Sequence, residues 1–189
     1  LKLFQFRCFL GMASRIGFIG LGAMGAPMAR RLMKDHRLVV FDQLAHRNQA
    51  FVDNGVAAVS SPQAMVSQAS VILLSLNASA CNDVITELLP RLTPEHVIVD
   101  CSTTSPAQAI AAGEAVASSG AAFLDAPVSG LPARAVDGTL TCMVGGDPML
   151  LDKQRPMLGA MATQVVHVGE IGHGQLAKTF NNCIYNMSI

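Results

Sequence analysis

The turn Gly20-Leu21-Gly22-Ala23-Met24-Gly25 joins the apolar run Ile16-Gly17-Phe18-Ile19 to a helically spaced run through Met28, Ala29, Leu32 and Met33. No other feature restricts the chain as much, because each glycine of such a turn has its own steric task. Gly20 permits the tight corner, Gly22 lets a pyrophosphate approach the backbone, and Gly25 lets helix and strand pack closely. Free N–H groups and the helix dipole then receive the anion. A second β-rich run, Leu38 to Phe41, ends in Asp42 about twenty residues past the turn. A carboxylate there accepts bonds from an adenosine ribose 2′-hydroxyl and repels a 2′-phosphate. Gly20, Leu21, Gly22, Ala23, Met24, Gly25 and Asp42 therefore predict a dinucleotide site that takes NAD in preference to NADP. Two alternatives stay open: Asp42 caps the following helix, or Arg47 and His46 serve a 2′-phosphate.

Around this corner the chain alternates short β-rich runs with helical ones. Strands are expected at 15–19, 38–42, 56–59, 70–76, 96–101, 121–126, 140–144 and 164–168, and helices near 24–34, 44–54, 62–68, 80–89, 106–118, 148–161 and from Gln175 onward. Such alternation is satisfied by a mostly parallel sheet with helices on both faces. The fold class is α/β: a Rossmann-type, doubly wound, mostly parallel sheet followed by the start of a long interdomain helix. Ligands of such sheets sit beyond the carboxyl ends of the strands.

Composition narrows the function. Apolar residues make up 51% of the 189, and charged ones 14%, against a usual share of about 25%, so a packed core is expected. Thirteen Lys and Arg balance thirteen Asp and Glu, leaving no net positive field for nucleic acid or anionic lipid. No run approaches the roughly 18 apolar residues of a membrane span. Five scattered cysteines form no C-x-x-C pair and the five histidines no H-E-x-x-H pair, so no metal site is expected.

The segment Phe18 to Met33, FIGLGAMGAPMARRLM, resembles the N-terminal signature of the β-hydroxyacid dehydrogenases. Asp100-Cys101-Ser102-Thr103 resembles the family's loop after the fifth strand. Asp125-Ala126-Pro127-Val128-Ser129-Gly130 is similar to its substrate loop, and Gly172-His173-Gly174-Gln175-Leu176-Ala177-Lys178 with Asn182 to its catalytic helix. Gly138 to Thr141 and Met143 to Gly146 also match family usage, in the same order along the chain.

The resemblance implies oxidation of a small 3-hydroxy acid, such as 3-hydroxyisobutyrate in valine breakdown, to its semialdehyde by NAD, or the reverse reduction. It implies Lys178 as the proton carrier and Asn182, four residues on and on the same helix face, as its companion. Ser129 and Gly130 would bind the substrate carboxylate, and Thr103 with Leu76 and Asn77 would line the nicotinamide half of the cofactor. Leu131 stands where the family usually has a second glycine, and Asn77 where it often has proline. Without the resemblance Lys178 reads as a solvated helix lysine, Ser129-Gly130 as a turn, and Ser102-Thr103 as a cap for the helix entered at Pro106. His173 reads as an exposed loop residue, and Asp125 as a buried acid bonded to nearby N–H groups.

Residues 1–14 carry Lys2 and Arg7 and no acid, as a mitochondrial presequence would; a cytosolic protein starting near Met12 is the alternative. Residues 15–174 are expected to form the NAD-binding domain and 175–189 the start of an all-helical domain that is cut short. The resemblance implies a homo-oligomer for the full-length form. The competing functions are a glyoxylate, succinic or tartronate semialdehyde reductase using NAD(P)H, and a non-catalytic nucleotide-binding module.

Overall fold

The computed structural model describes residues 15–187, and the expected leader, 1–14, lies outside the described residues. The chain runs β1 (Ile16–Ile19), α1 (Gly25–Leu32), β2 (Leu38–Phe41), α2 (Ala45–Val52), β3 (Ala57–Ala58), α3 (Pro62–Val66), β4 (Val71–Leu74) and α4 (Ala78–Leu88). It continues through β5 (Val97–Asp100), α5 (Pro106–Ser118), β6 (Ala122–Asp125), β7 (Val128–Ser129), α6 (Leu131–Asp137), β8 (Leu140–Gly145), α7 (Pro148–Gly159), β9 (Ala162–Gly169) and α8 (His173–Met187).

The strands form one sheet in the order β3-β2-β1-β4-β5-β6-β8-β7, with β9 also paired to β8. From β3 to β6 every pairing is parallel. The direction reverses at β8, which is antiparallel to β6 and β7 and parallel to β9. Because β1 lies between β2 and β4, the crossovers from its two neighbours leave toward opposite faces. A crevice opens at that switch point, at the carboxyl end of β1, where the glycine turn stands.

The near-continuous apolar runs follow from burial on both faces. Phe18, Val40, Leu73, Val99 and Leu124 enter one core with Met28 and Leu32 of α1. Their neighbours Ile19, Val39, Ile72, Ile98 and Phe123 enter a second core with Met65, Leu88 and Val116. Alternate side chains of one strand thus feed opposite layers.

All eight expected strands are present, with ends shifted by a few residues. The stretch after Pro127 differs. Val128–Ser129 is a short strand paired with Cys142 and Thr141 of β8, and helix α6 follows at once. Two residues carry no readable period, and Pro132 in the first turn of α6 reads equally as a loop residue. The last helix starts at His173, before the expected Gln175. His173 is exposed as expected, but it opens a helix, where its Nδ1 accepts from the Glu170 N–H at 3.1 Å.

Candidate active site

At the end of β1 the chain turns at Gly20 with φ +97°, and a Cβ there would run into the Ser75 carbonyl. A Cβ on Gly25 would run into the Gly20 carbonyl. Both positions need glycine for the corner to close. Gly22 is different, since a Cβ there would meet nothing nearer than Arg47 Nη1 at 4.0 Å. The fold leaves that space open, and it is the space a closely approaching pyrophosphate requires. α1 has no side-chain cap and no acid in its first turn, so its positive end is available to an anion. These features fit a dinucleotide.

Asp42 follows β2 and is buried. Its Oδ2 accepts from the Leu21 N–H at 2.7 Å and pairs with Arg47 Nη1 at 3.2 Å, while Oδ1 accepts from the Leu44 N–H at 2.9 Å. α2 is entered at Leu44 without a side-chain cap, so Asp42 ties the glycine turn to β2 and does not cap the helix. Arg47 is held against Asp42. Of the expected cofactor residues, Leu21 borders neither of the two cavities beside this corner: its side chain is core and its N–H is taken by Asp42. A cavity of 460 Å³ beside this pair is bordered by Gly20, Gly22, Asp42, Gln43, Arg47 and Ser61, among others.

A larger cavity of 840 Å³ shares Gly22, Ser75, Leu76 and Asn77 with the first. Ala23, Met24, Gly25, Thr103, Ser129, Gly130, Lys178 and Asn182 border it, so the expected residues of four separate motifs meet around one space. Ser105, not Thr103, caps α5, in a reciprocal pair with Gln108. Asn77 combines its place on the wall with capping α4, its Oδ1 accepting from the Ala80 N–H at 2.9 Å. Ser129 Oγ accepts from Asn181 Nδ2 at 3.0 Å, which leaves its own proton to donate elsewhere. Lys178 is half-buried and has no hydrogen bond or ion pair among the described residues. Burial holds its amine below the ordinary lysine range.

A buried polar chain fixes these walls. Fully buried Asp125, at the end of β6, accepts from the N–H groups of Gly172 and Gln175, each at 2.9 Å, and so sits on the positive end of α8. Gln175, also fully buried, accepts from the Thr104 N–H at 3.0 Å and donates to the Ser102 carbonyl at 2.8 Å. Ser102 Oγ accepts from the Leu76 N–H at 2.9 Å, and its N–H donates to Asp100 Oδ1 at 2.9 Å. The Cys81 thiol donates to Asp100 Oδ2 at 3.3 Å. Burial pushes both carboxyls up, while the bonds from Gly172 and Gln175 pull Asp125 back toward ionisation.

Leu131 is the one described non-glycine residue with positive φ, +62°, and it is 65% exposed on the cavity wall. The backbone keeps a glycine-like conformation at a cost of about 1–2 kcal/mol. Sequence reading passed over Asn181, Arg134, Tyr185 and Gln175. Asn181 and Gln175 lie three residues to either side of Lys178, a helical spacing that flags both. Arg134 lies on the helix that sequence reading lacked.

The family model described as the NAD binding domain of 6-phosphogluconate dehydrogenase matches residues 15–169. The chain is 42% identical over 173 residues to an NAD-dependent L-serine dehydrogenase of Pseudomonas aeruginosa, covering 89% of this chain and 58% of that protein. It is 36% identical over 189 residues to human mitochondrial 3-hydroxyisobutyrate dehydrogenase, covering 96% and 56%. Among solved structures, 3-hydroxyisobutyrate dehydrogenase of Mycobacterium tuberculosis with L-serine superposes with a TM-score of 0.88 at 36% identity, over 92% of this chain and 60% of that one. The chain thus spans less than two thirds of each of these relatives.

Proposed function

The chain belongs to the family of NAD-binding domains of 6-phosphogluconate dehydrogenase, and on that premise we propose that it carries the cofactor half of an NAD-dependent dehydrogenase of small 3-hydroxy acids such as 3-hydroxyisobutyrate. The observation that carries this reading is Lys178, an amine with no hydrogen bond or ion pair among the described residues, held below its ordinary pKa by burial, on the cavity that the glycine turn also borders.

The N-terminus of α1 with Gly22, Ala23, Met24 and Gly25 would hold the pyrophosphate, Asp42 the adenosine ribose, and Leu76, Asn77 and Thr103 the nicotinamide half. Bound NAD supplies the hydride acceptor. The Ser129 hydroxyl and the Gly130 N–H take the substrate carboxylate. Lys178, neutral, takes the proton of the 3-hydroxyl as the C–H bond is broken, and in the reverse direction its ammonium returns that proton to the carbonyl oxygen. Asn182, one turn on, keeps the amine and the hydroxyl in register. The buried carboxylate of Asp42 supports NAD over NADP.

Residues 15–174 form the NAD-binding domain in this reading, and α8 begins a second, helical domain that completes the site in a homo-oligomer. The basic, acid-free composition of residues 1–14 and the human relative's compartment support a place in mitochondrial valine breakdown.

The test is NADH production from 3-hydroxyisobutyrate against pH. Lys178 must be neutral to accept the proton and its pKa lies below the ordinary 10.5, so the oxidative rate climbs as pH passes the lowered value and levels above it. Reduction needs the ammonium and falls over the same range. Lys178→Met lowers turnover about 10²–10⁴-fold with NAD affinity retained. Wild-type turnover in Lys178→Met would overturn the proposal.

A further inference from the structure

Lys178 and Arg134 both border the large cavity, and no Asp or Glu among the described residues does. The two cations are not equivalent. If Lys178 is the base it must spend the oxidative step neutral, whereas a guanidinium keeps its charge at every working pH. Arg134 is therefore the one permanent charge on that wall. It has no carboxylate partner among the described residues; its single side-chain bond runs from Nε to Thr139 Oγ1 at 3.5 Å, the weak end of hydrogen bonding. Its terminal nitrogens remain for a ligand.

The position of its stem is set by Gly130. A Cβ on that glycine would lie 2.9 Å from Arg134 Cβ and 3.0 Å from Arg134 Cδ, so the absent side chain lets the arginine stem lie against the substrate loop. Ser129 and Gly130 already offer neutral donors for one carboxylate, and the N-terminus of α1 offers donors for the cofactor's phosphates. A planar fork of N–H groups one helical turn beyond Leu131 matches a further carboxylate.

We propose that Arg134 binds a second anionic group of the substrate, so that the pocket selects 3-hydroxy acids bearing two carboxylates over those bearing one. The inference rests on the dehydrogenase reading and deepens it by naming the substrate class. An ammonium-bearing hydroxy acid would meet the permanent charge of Arg134 and no acid among the described residues of this wall, which disfavours it.

The probes are 3-hydroxyisobutyrate and 2-(hydroxymethyl)succinate, the same skeleton with a carboxylate added to the methyl group. Each is titrated into the protein with and without NAD, by calorimetry and by emission of Tyr185, the chain's single tyrosine and a residue of this cavity. The wild type is expected to bind the dicarboxylate at least about tenfold more tightly, as a charge-assisted bond would give. Arg134→Met should bring the ratio of the two affinities close to one, and Arg134→Lys should restore part of it. The proposal is overturned if the wild type shows no preference, if the preference survives Arg134→Met, or if that change weakens both acids equally or weakens NAD instead. Failure of the wild type to bind NAD would sink the dehydrogenase reading alone, because the preference remains measurable in the cofactor-free protein.

Discussion

At the scale of single residues, the three turn glycines separate into those the fold needs and one it leaves to a ligand. Gly20 and Gly25 face carbonyl oxygens where a Cβ would sit, whereas Gly22 faces open space. Gly20→Ala is accordingly expected to destabilise the protein by more than about 2 kcal/mol, through a strained φ and a steric clash. Gly22→Ala should leave the melting temperature nearly unchanged and weaken NAD binding at least about tenfold. Thermal unfolding and NAD calorimetry on the two variants check the contrast, and equal melting losses would refute it. This much was legible in the spacing alone, because glycine positions in a strand-to-helix corner follow from local sterics. The inward turn of Leu21 was not, since it depends on the Asp42 carboxylate arriving from the next strand.

At the scale of elements, α8 is placed by its first turn. Asp125 and Gln175 bind that turn to β6 and to the loop after β5, so the register of Lys178 depends on two buried polar residues that do not border the cavity. Asp125→Asn keeps the shape but offers one N–H₂ where two N–H donors already point. It should cost about 2–3 kcal/mol and lower turnover more than NAD affinity. Urea unfolding with separate measurement of kcat and the NAD dissociation constant decides; unchanged turnover would show that α8 is positioned by its apolar packing. The central strands β1, β2, β4 and β5 were readable because both of their faces are buried and their runs are apolar and rich in Val and Ile. β7 and α6 were not, because a two-residue strand exists only through its partner β8. The acid at 125 was readable as buried and bonded, but its partners lie 47 and 50 residues away.

At the scale of the whole molecule, α8 leaves Leu176, Phe180, Ile184, Tyr185 and Met187 exposed, a row of large apolar side chains beyond what isolated surface residues explain. The described protein is expected to self-associate as its concentration rises. Sedimentation should show this, and a Leu176→Ser, Phe180→Ser, Ile184→Ser triple change should suppress it without altering NAD affinity. Association that persists in the triple variant would place the contact elsewhere.

The residues by themselves determined the layered α/β class, the glycine corner and the acid that follows it, because backbone sterics and alternating burial act over a few positions. Tertiary structure alone decided that four motifs spread over more than 150 positions surround one cavity. It also decided that Arg47 and Leu21 serve Asp42 and that an arginine overlooked in the sequence stands beside the loop at Ser129 and Gly130. Those outcomes depend on strand order and helix docking, and non-local packing leaves no period in the chain to read.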